Sequence, residues 1–344
     1  MKFTDKFPLI GRHPVFAQSM LRVKDPERSR IFYEKQLGMQ FLTRFDFPNL
    51  SFSLYFYACA EQNIPKGHLS QAETAKWLWN VQFPTLELTH NWGTEKDPDF
   101  QYHNGNEDPK GFVHLAFIVD DVNKAVEELE SQGVPIIQRP IWSQIGKFAY
   151  ISDPDGYWIQ LISAEPGSRE FYSKIPGVGN FQNRTILAET RLRIKDPQAS
   201  RHFYEKGLGM TCVRYLEIPS SRLTLYYYAY TNSSIDRQNI NSCENRTERW
   251  PIPRIVLQHL WESETDLFLS YHNGNTEPTG FGHIGLTVDD IYSACCRIQK
   301  AGYKIIRKPG PFQDVGEISF LSDPDGYWIE LIQRNSFRTA KSAL

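Results

Sequence analysis

The sequence predicts an α+β protein made of four strand–helix–strands modules in two tandem repeats, and three recurrences carry that expectation. MLRVKDPERSRIFYEKQLGM (20–39) returns as RLRIKDPQASRHFYEKGLGM (191–210), YHNGNEDPKGFVHLAFIVDD (102–121) as YHNGNTEPTGFGHIGLTVDD (271–290), and SDPDGYWIQLI (152–162) as SDPDGYWIELI (322–332). Segments that repeat in order at a near-constant spacing of roughly 170 residues describe one unit written twice. The expected boundaries are 14–165 for the first repeat, 166–184 for a linker rich in Gly, Pro and Ser, and 185–335 for the second repeat.

Each unit reads as internally double. The strand-like run FAQSMLRV precedes a helix announced by Asp25 and Pro26 and stopped at Gly38. FVHLAFIV precedes a second helix, opened by Asp121 and closed at Gly133, with Val122, Ala125, Val126 and Leu129 on one face. Alternating runs such as FSLYFYA, FAYIS and YWIQLI supply the strands that follow each helix.

Composition narrows the function classes. With 344 residues, 40% of them hydrophobic and 14% aromatic, the chain can bury a large core. Lys plus Arg (38) nearly balance Asp plus Glu (40), and no stretch of about 18 apolar residues occurs, so neither nucleic acid nor membrane is expected as a partner. The N-terminus, MKFTDKFPLIGRHP, has no apolar signal-peptide core. Five cysteines without CxxC spacing argue against a disulfide framework or a thiolate metal site, and a reducing cytoplasm is the expected compartment.

Period-two alternation places Gln18 and Arg22 on one strand face, with Leu21 and Val23 on the other. In TLELT, Glu87 shares its face with Thr85 and Thr89. His114 and His283 occupy the same place in their strands, and Gln160 and Glu330 each follow a Trp by two positions. A polar side chain within an apolar strand needs a partner, since burying it unpaired costs several kcal/mol. Singly, each of these residues is more often a satisfied core group or one half of an ion pair. Jointly, two carboxylates, an imidazole and an amide in four repeated strand contexts are better explained by a metal. His90 and His259, on the opposite face, read as structural, and DPDG reads as a turn that aims the following strand.

The motifs QSMLRVKDP, LELTHNWGTE, YHNGN…GFGHIG and DPDGYWIE resemble the glyoxalase I family of the vicinal oxygen chelate superfamily, in its fused two-copy form. The resemblance covers nearly all of 16–335. It implies four βαβββ modules that curl into cups around a divalent metal, with sites between copies, each taking two ligands from one copy and two from the other. On that pattern Gln18, Glu87, His283 and Glu330 form a complete set. The remainder, Glu189, Val256, His114 and Gln160, form a degenerate second site, because a valine cannot ligate and Gln160 lacks the carboxylate of Glu330.

The resemblance further implies lactoylglutathione lyase activity: the methylglyoxal–glutathione hemithioacetal is isomerised to S-lactoylglutathione through an enediolate. Glu330 is the expected principal base and Glu87 its counterpart, while Arg22 and Asn91 match the family's glutathione anchors. Thr279 stands where the family usually has Arg before GFGH, so Arg307 or Lys308 is expected to take the glutathione carboxylate; in the degenerate half Leu260 replaces the counterpart of Asn91. A single His argues against the two-His, one-carboxylate set of oxygenases, and the absence of thiolates argues against a closed structural zinc site. The insertion between 60 and 84 resembles zinc-using relatives, so zinc is expected, with nickel or cobalt as alternatives, glutathione as cosubstrate and a monomeric state. The competing readings are a non-catalytic or different-substrate member of the same superfamily.

Overall fold

The computed structural model describes residues 8–59, 69–163, 186–230 and 253–334; the expected linker lies outside them. The first module contributes β1 (Val15–Arg22), β2 (Gln40–Phe47), β3 (Phe52–Ala58) and β4 (Thr85–Asn91); the second contributes β5 (Phe112–Val119), β6 (Ile136–Ser143), β7 (Gly146–Ser152) and β8 (Trp158–Ser163). The third holds β9 (Ile186–Ile194), β10 (Thr211–Ile218), β11 (Leu223–Ala229) and β12 (Arg254–Leu260); the fourth holds β13 (Phe281–Val288), β14 (Ile305–Phe312), β15 (Gly316–Ser322) and β16 (Trp328–Gln333).

These strands form two curled eight-stranded sheets, ordered β14-β15-β16-β13-β1-β4-β3-β2 and β10-β11-β12-β9-β5-β8-β7-β6. Module one therefore pairs with module four, and module two with module three. Each repeat gives one half to each sheet. The joins are antiparallel, β1 on β13 with Met20 opposite His283, and β5 on β9 with His114 opposite Arg191.

The helices form where their caps require. Helix α1 (Pro26–Arg30) opens with Asp25 Oδ1 accepting from the N–H groups of Glu27 and Arg28 at 2.9 and 3.3 Å. It then widens into a π-turn over Ile31–Gln36 before Gly38, at φ +70°, ends it. Nothing in the residue pattern signals that widening. Helix α2 (Gln71–Leu78) starts in a capping box made by Ser70 and Glu73. Helix α3 (Val122–Ser131) buries Val122, Ala125, Val126 and Leu129. Helices α4 (Pro197–Arg201) and α5 (Ile291–Lys300) repeat the first and third. Among the described residues no helix is long and apolar enough to cross a membrane.

The DPDG turns do more than aim a strand. Asp153 accepts hydrogen bonds from its own turn, at the N–H groups of Asp155 and Tyr157, and from the Tyr33 hydroxyl at 2.8 Å. Asp155 accepts from the backbone N–H of Lys24. Asp323 and Asp325 repeat these bonds with Tyr204 and Lys195. Tyr33 and Lys24 belong to module one and the turn to module two, so these contacts hold the halves of a repeat together across the two sheets. One apolar core spans both sheets, with Phe112 and Phe281 stacked at 4.9 Å near its centre.

Candidate functional site

At the base of the first sheet, strands β1, β4, β13 and β16 bring Gln18, Glu87, His283 and Glu330 together, all buried. Backbone register sets this up. Gln18 stands opposite Gly285, which is itself level with Glu330, and Met20 is level with both Glu87 and His283. Gly285 is required there, because a Cβ at that position would fall 2.4 Å from Cγ of Gln18.

The ligand atoms of Glu87, His283 and Glu330 lie within 4.8 Å of one another. His283 Nε2 is 3.0 Å from Glu330 Oε2 and 3.6 Å from Glu87 Oε2. Gln18 Nε2 points into the same cluster, 3.0 Å from Glu330 and in close contact with Glu87, while its Oε1 has no partner. Burial, with the charge of Glu87 nearby, pushes the Glu330 carboxyl up, against the pull of His283. Burial alone would lower His283, but Glu330 and Glu87 outweigh it and push the imidazole up to about 9.

Two buried carboxylates facing one imidazole and an unpaired amide oxygen form an electrostatically unfinished group, and a divalent cation completes it. The orphaned amide oxygen of Gln18 is a further donor atom for such an ion. The residues therefore fit a hard or borderline divalent metal held by oxygen and nitrogen donors.

Above the cluster lies a cavity of about 280 Å³. Phe52, Leu54, Phe56, Trp79, Phe312 and Val315 supply apolar lining, and Arg22, Asn91, Asn275 and Arg307 supply polar groups, with the Arg307 guanidinium 5.5 Å from the Phe312 ring. Trp79, just after α2, donates from Nε1 to the Val315 carbonyl at 2.6 Å and ties that segment to the loop before β15.

The proposed anchors fare differently. Asn91 lines the cavity and donates to the Tyr102 hydroxyl at 3.0 Å. Arg22 also lines it, but its terminal nitrogens already donate to the carbonyls of Gly274, Gly280 and Phe281 and to Asn275. It therefore clamps the YHNGN loop of the other repeat as well as facing the cavity. Arg307 lines the cavity, while Lys308, its neighbour on the strand, is exposed and does not. Strand alternation separates the two, and the terminal nitrogens of Arg307 donate to the carbonyls of Ile318 and Pro311 at 2.8 and 2.9 Å. Thr279 contributes its carbonyl to His103 N–H at 2.8 Å. His90 and His259 are each paired with a glutamate, Glu95 and Glu264, at 2.8 Å.

In the second sheet Glu189, Val256, His114 and Gln160 occupy the matching positions, also buried. Two residues not singled out from the sequence decide what this cup is. Arg191 and Arg254 each pair with Glu189, at 3.3 and 2.9 Å. They stand where the first repeat has Met20 and Thr85, and comparing these matched positions would have exposed them. Gln160 donates to the hydroxyl of Tyr150, the counterpart of Phe320, at 3.1 Å. Burial, with the charges of Arg191 and Arg193, holds His114 well below its ordinary range, so its ring is neutral.

Two curled sheets, each shared between repeats, with a four-residue donor cluster at the base of one, define a paired-module protein with a candidate metal cup. The chain belongs to the Glyoxalase/Bleomycin resistance protein/Dioxygenase superfamily, whose pattern matches residues 15–161 and 186–331. It is 42% identical to glyoxalase I of Saccharomyces cerevisiae over 91% of this chain and 90% of the relative. It is 34% identical to lactoylglutathione lyase of Schizosaccharomyces pombe, over 92% and 95%. The crystal structure of glyoxalase I from Zea mays superposes with a TM-score of 0.67 at 23% identity, covering 94% of both chains, which speaks to the fold alone.

Proposed function

We propose that this chain is a lactoylglutathione lyase, isomerising the hemithioacetal of methylglyoxal and glutathione to S-lactoylglutathione in the first cup. The observation that carries this reading is the convergence of Gln18, Glu87, His283 and Glu330 from four strands of two repeats, beneath a cavity lined by both apolar and polar side chains. The similarity to proteins named glyoxalase I and lactoylglutathione lyase supports it.

Gln18, Glu87, His283 and Glu330 would hold the metal, for which we propose zinc, with nickel and cobalt as alternatives. When bound, a divalent ion supplies Lewis-acid stabilisation of the negative charge that develops on the enediolate oxygens. Glu330 takes the proton from the carbon bearing sulfur and oxygen and returns it to the neighbouring carbon, while the hydroxyl proton on the first carbon's oxygen passes to the oxygen of the second, so that the thioester carbonyl and the new hydroxyl form together. Glu87 faces it across the cluster and serves as its counterpart. The apolar lining excludes water from the reacting carbons, while Asn91, Arg307 and Arg22 orient the glutathione moiety.

Both partners of each sheet join lie in one chain, so a monomer is proposed, with the cytoplasm as its compartment. Mixing the protein with methylglyoxal and glutathione should produce the thioester absorbance of the product in proportion to hemithioacetal. Equal turnover of methylglyoxal with glutathione omitted would overturn the reading. Sedimentation should give a monomer mass.

A further inference from the structure

The second cup carries the opposite charge problem to the first. Arg191 and Arg254 bring two guanidinium groups to Glu189, the carboxylate of the cluster, and leave one positive charge unbalanced. Three side chains there keep polar atoms without partners although they are almost fully buried. Arg191 has a free Nε at 4% exposure, and His114 and Gln160, both at 0%, have no partner for the ring nitrogens or for Oε1 beyond the contact between these two side chains. Arg254 Nε is also without a partner. Neutral His114 has one N–H to donate. The Tyr150 hydroxyl, which accepts from Gln160, keeps its own proton available. Around these groups Val256, Leu225 and Tyr227 are buried, and the guanidinium of Arg254 stacks 5.5 Å from the Tyr227 ring.

We propose that the second cup is a metal-independent binding site for a small monocarboxylate, seated against Arg191 and Arg254 with its apolar end toward Val256 and Tyr227. Guanidinium is the side chain best matched to a carboxylate, and one carboxylate balances the surplus charge. The two cups then use one scaffold for opposite ligands: carboxylates that hold a cation in the first, guanidinium groups that hold an anion in the second. This inference does not depend on the reaction assigned to the first cup.

The test is calorimetric titration of the full metal-loaded chain with propionate, its neutral isostere propionamide, and inorganic phosphate. Propionate should bind at about one per chain and propionamide should not. Arg254→Met should weaken propionate by roughly tenfold or more, as expected for a lost charged hydrogen bond. Arg254→Lys, which keeps the charge, should retain part of the affinity. Val256→Glu should abolish binding by supplying the missing carboxylate internally. Circular dichroism checks that each variant is folded, and lyase turnover should remain at the wild-type level in all three. Equal binding of propionamide, tighter binding of phosphate than of propionate, no propionate heat at millimolar concentration, or loss of binding on chelation of the first-cup metal would each overturn the proposal.

Discussion

The two cups share strand order and pairing pattern, yet they are chemically opposite. In the first, Glu87 and Glu330 face His283 and Gln18 with an amide oxygen left over. In the second, Val256 and Gln160 remove both of those carboxylates, and Arg191 and Arg254 move in on the one that Glu189 adds. The difference teaches that the second cup has not simply lost a metal ligand. Buried cations stand beside the place where a metal would sit, and a like-charged ion there would be repelled in a medium that screens charge poorly. Simple loss would leave a cup that one or two substitutions repair; occupation by arginine does not.

The largest effect is expected from Glu330→Gln, which copies into the first cup what the second already has. Turnover should fall by roughly 10²- to 10⁴-fold, the usual consequence of losing a positioned base. Retention of about half the activity would mean that both cups work. The next test removes metal rather than base. Glu87→Val copies Val256, and after dialysis metal analysis should fall from about one ion per chain to well below it. Two ions per chain in the unmodified protein would show that the arginines do not keep metal out, and the contrast between the cups would fail.

A sharper version tries to rebuild the second cup. Val256→Glu with Gln160→Glu, made in the Glu330→Gln background, restores the carboxylates but leaves Arg191 and Arg254 to pair with them. Activity should stay at the Glu330→Gln level, whereas recovery toward wild type would show that ligand loss alone disabled this cup. The smallest effect concerns stability. His114 stays neutral in the folded chain because burial and then Arg191 and Arg193 lower its affinity for a proton, while in the unfolded chain it titrates near 6.5. The unfolded state therefore binds more protons below that pH, and stability should drop by up to about 1.4 kcal/mol for each pH unit below it. His114→Gln should flatten that part of the curve in denaturant titrations run down to about pH 5. An unchanged slope would mean that the ring takes up a proton without unfolding.

Much of the fold was legible because its signals are local. Asp25 with Pro26 marks a helix start wherever it occurs, and the spacing of Val122, Ala125, Val126 and Leu129 names the face that packs. The meeting of the candidate residues was legible too, since alternation puts Gln18 and Glu87 on the cavity faces of their strands and the family resemblance pairs them with His283 and Glu330. What escaped were residues whose meaning depends on a partner far along the chain. Arg191 and Arg254 look like ordinary strand cations until Glu189 is seen between them. The clamp from Arg22 to the loop around Gly274 joins residues some 250 positions apart, and no periodicity reports it.

By itself, then, the sequence determined the duplication, the strand and helix types, and which faces carry polar groups, because each of these follows from steric and periodic rules acting over a few residues. The tertiary structure decided which halves meet. Strand β1 finds its antiparallel partner in β13, more than 250 residues away, and β5 finds its own in β9. Backbone N–H and C=O groups are the same in every strand, so edge pairing is settled by the fit of whole faces: Gly285 beneath Gln18 in one sheet, and Arg191 opposite His114 in the other. That fit gathers the two carboxylates around one imidazole in the first cup and the two guanidinium groups around Glu189 in the second.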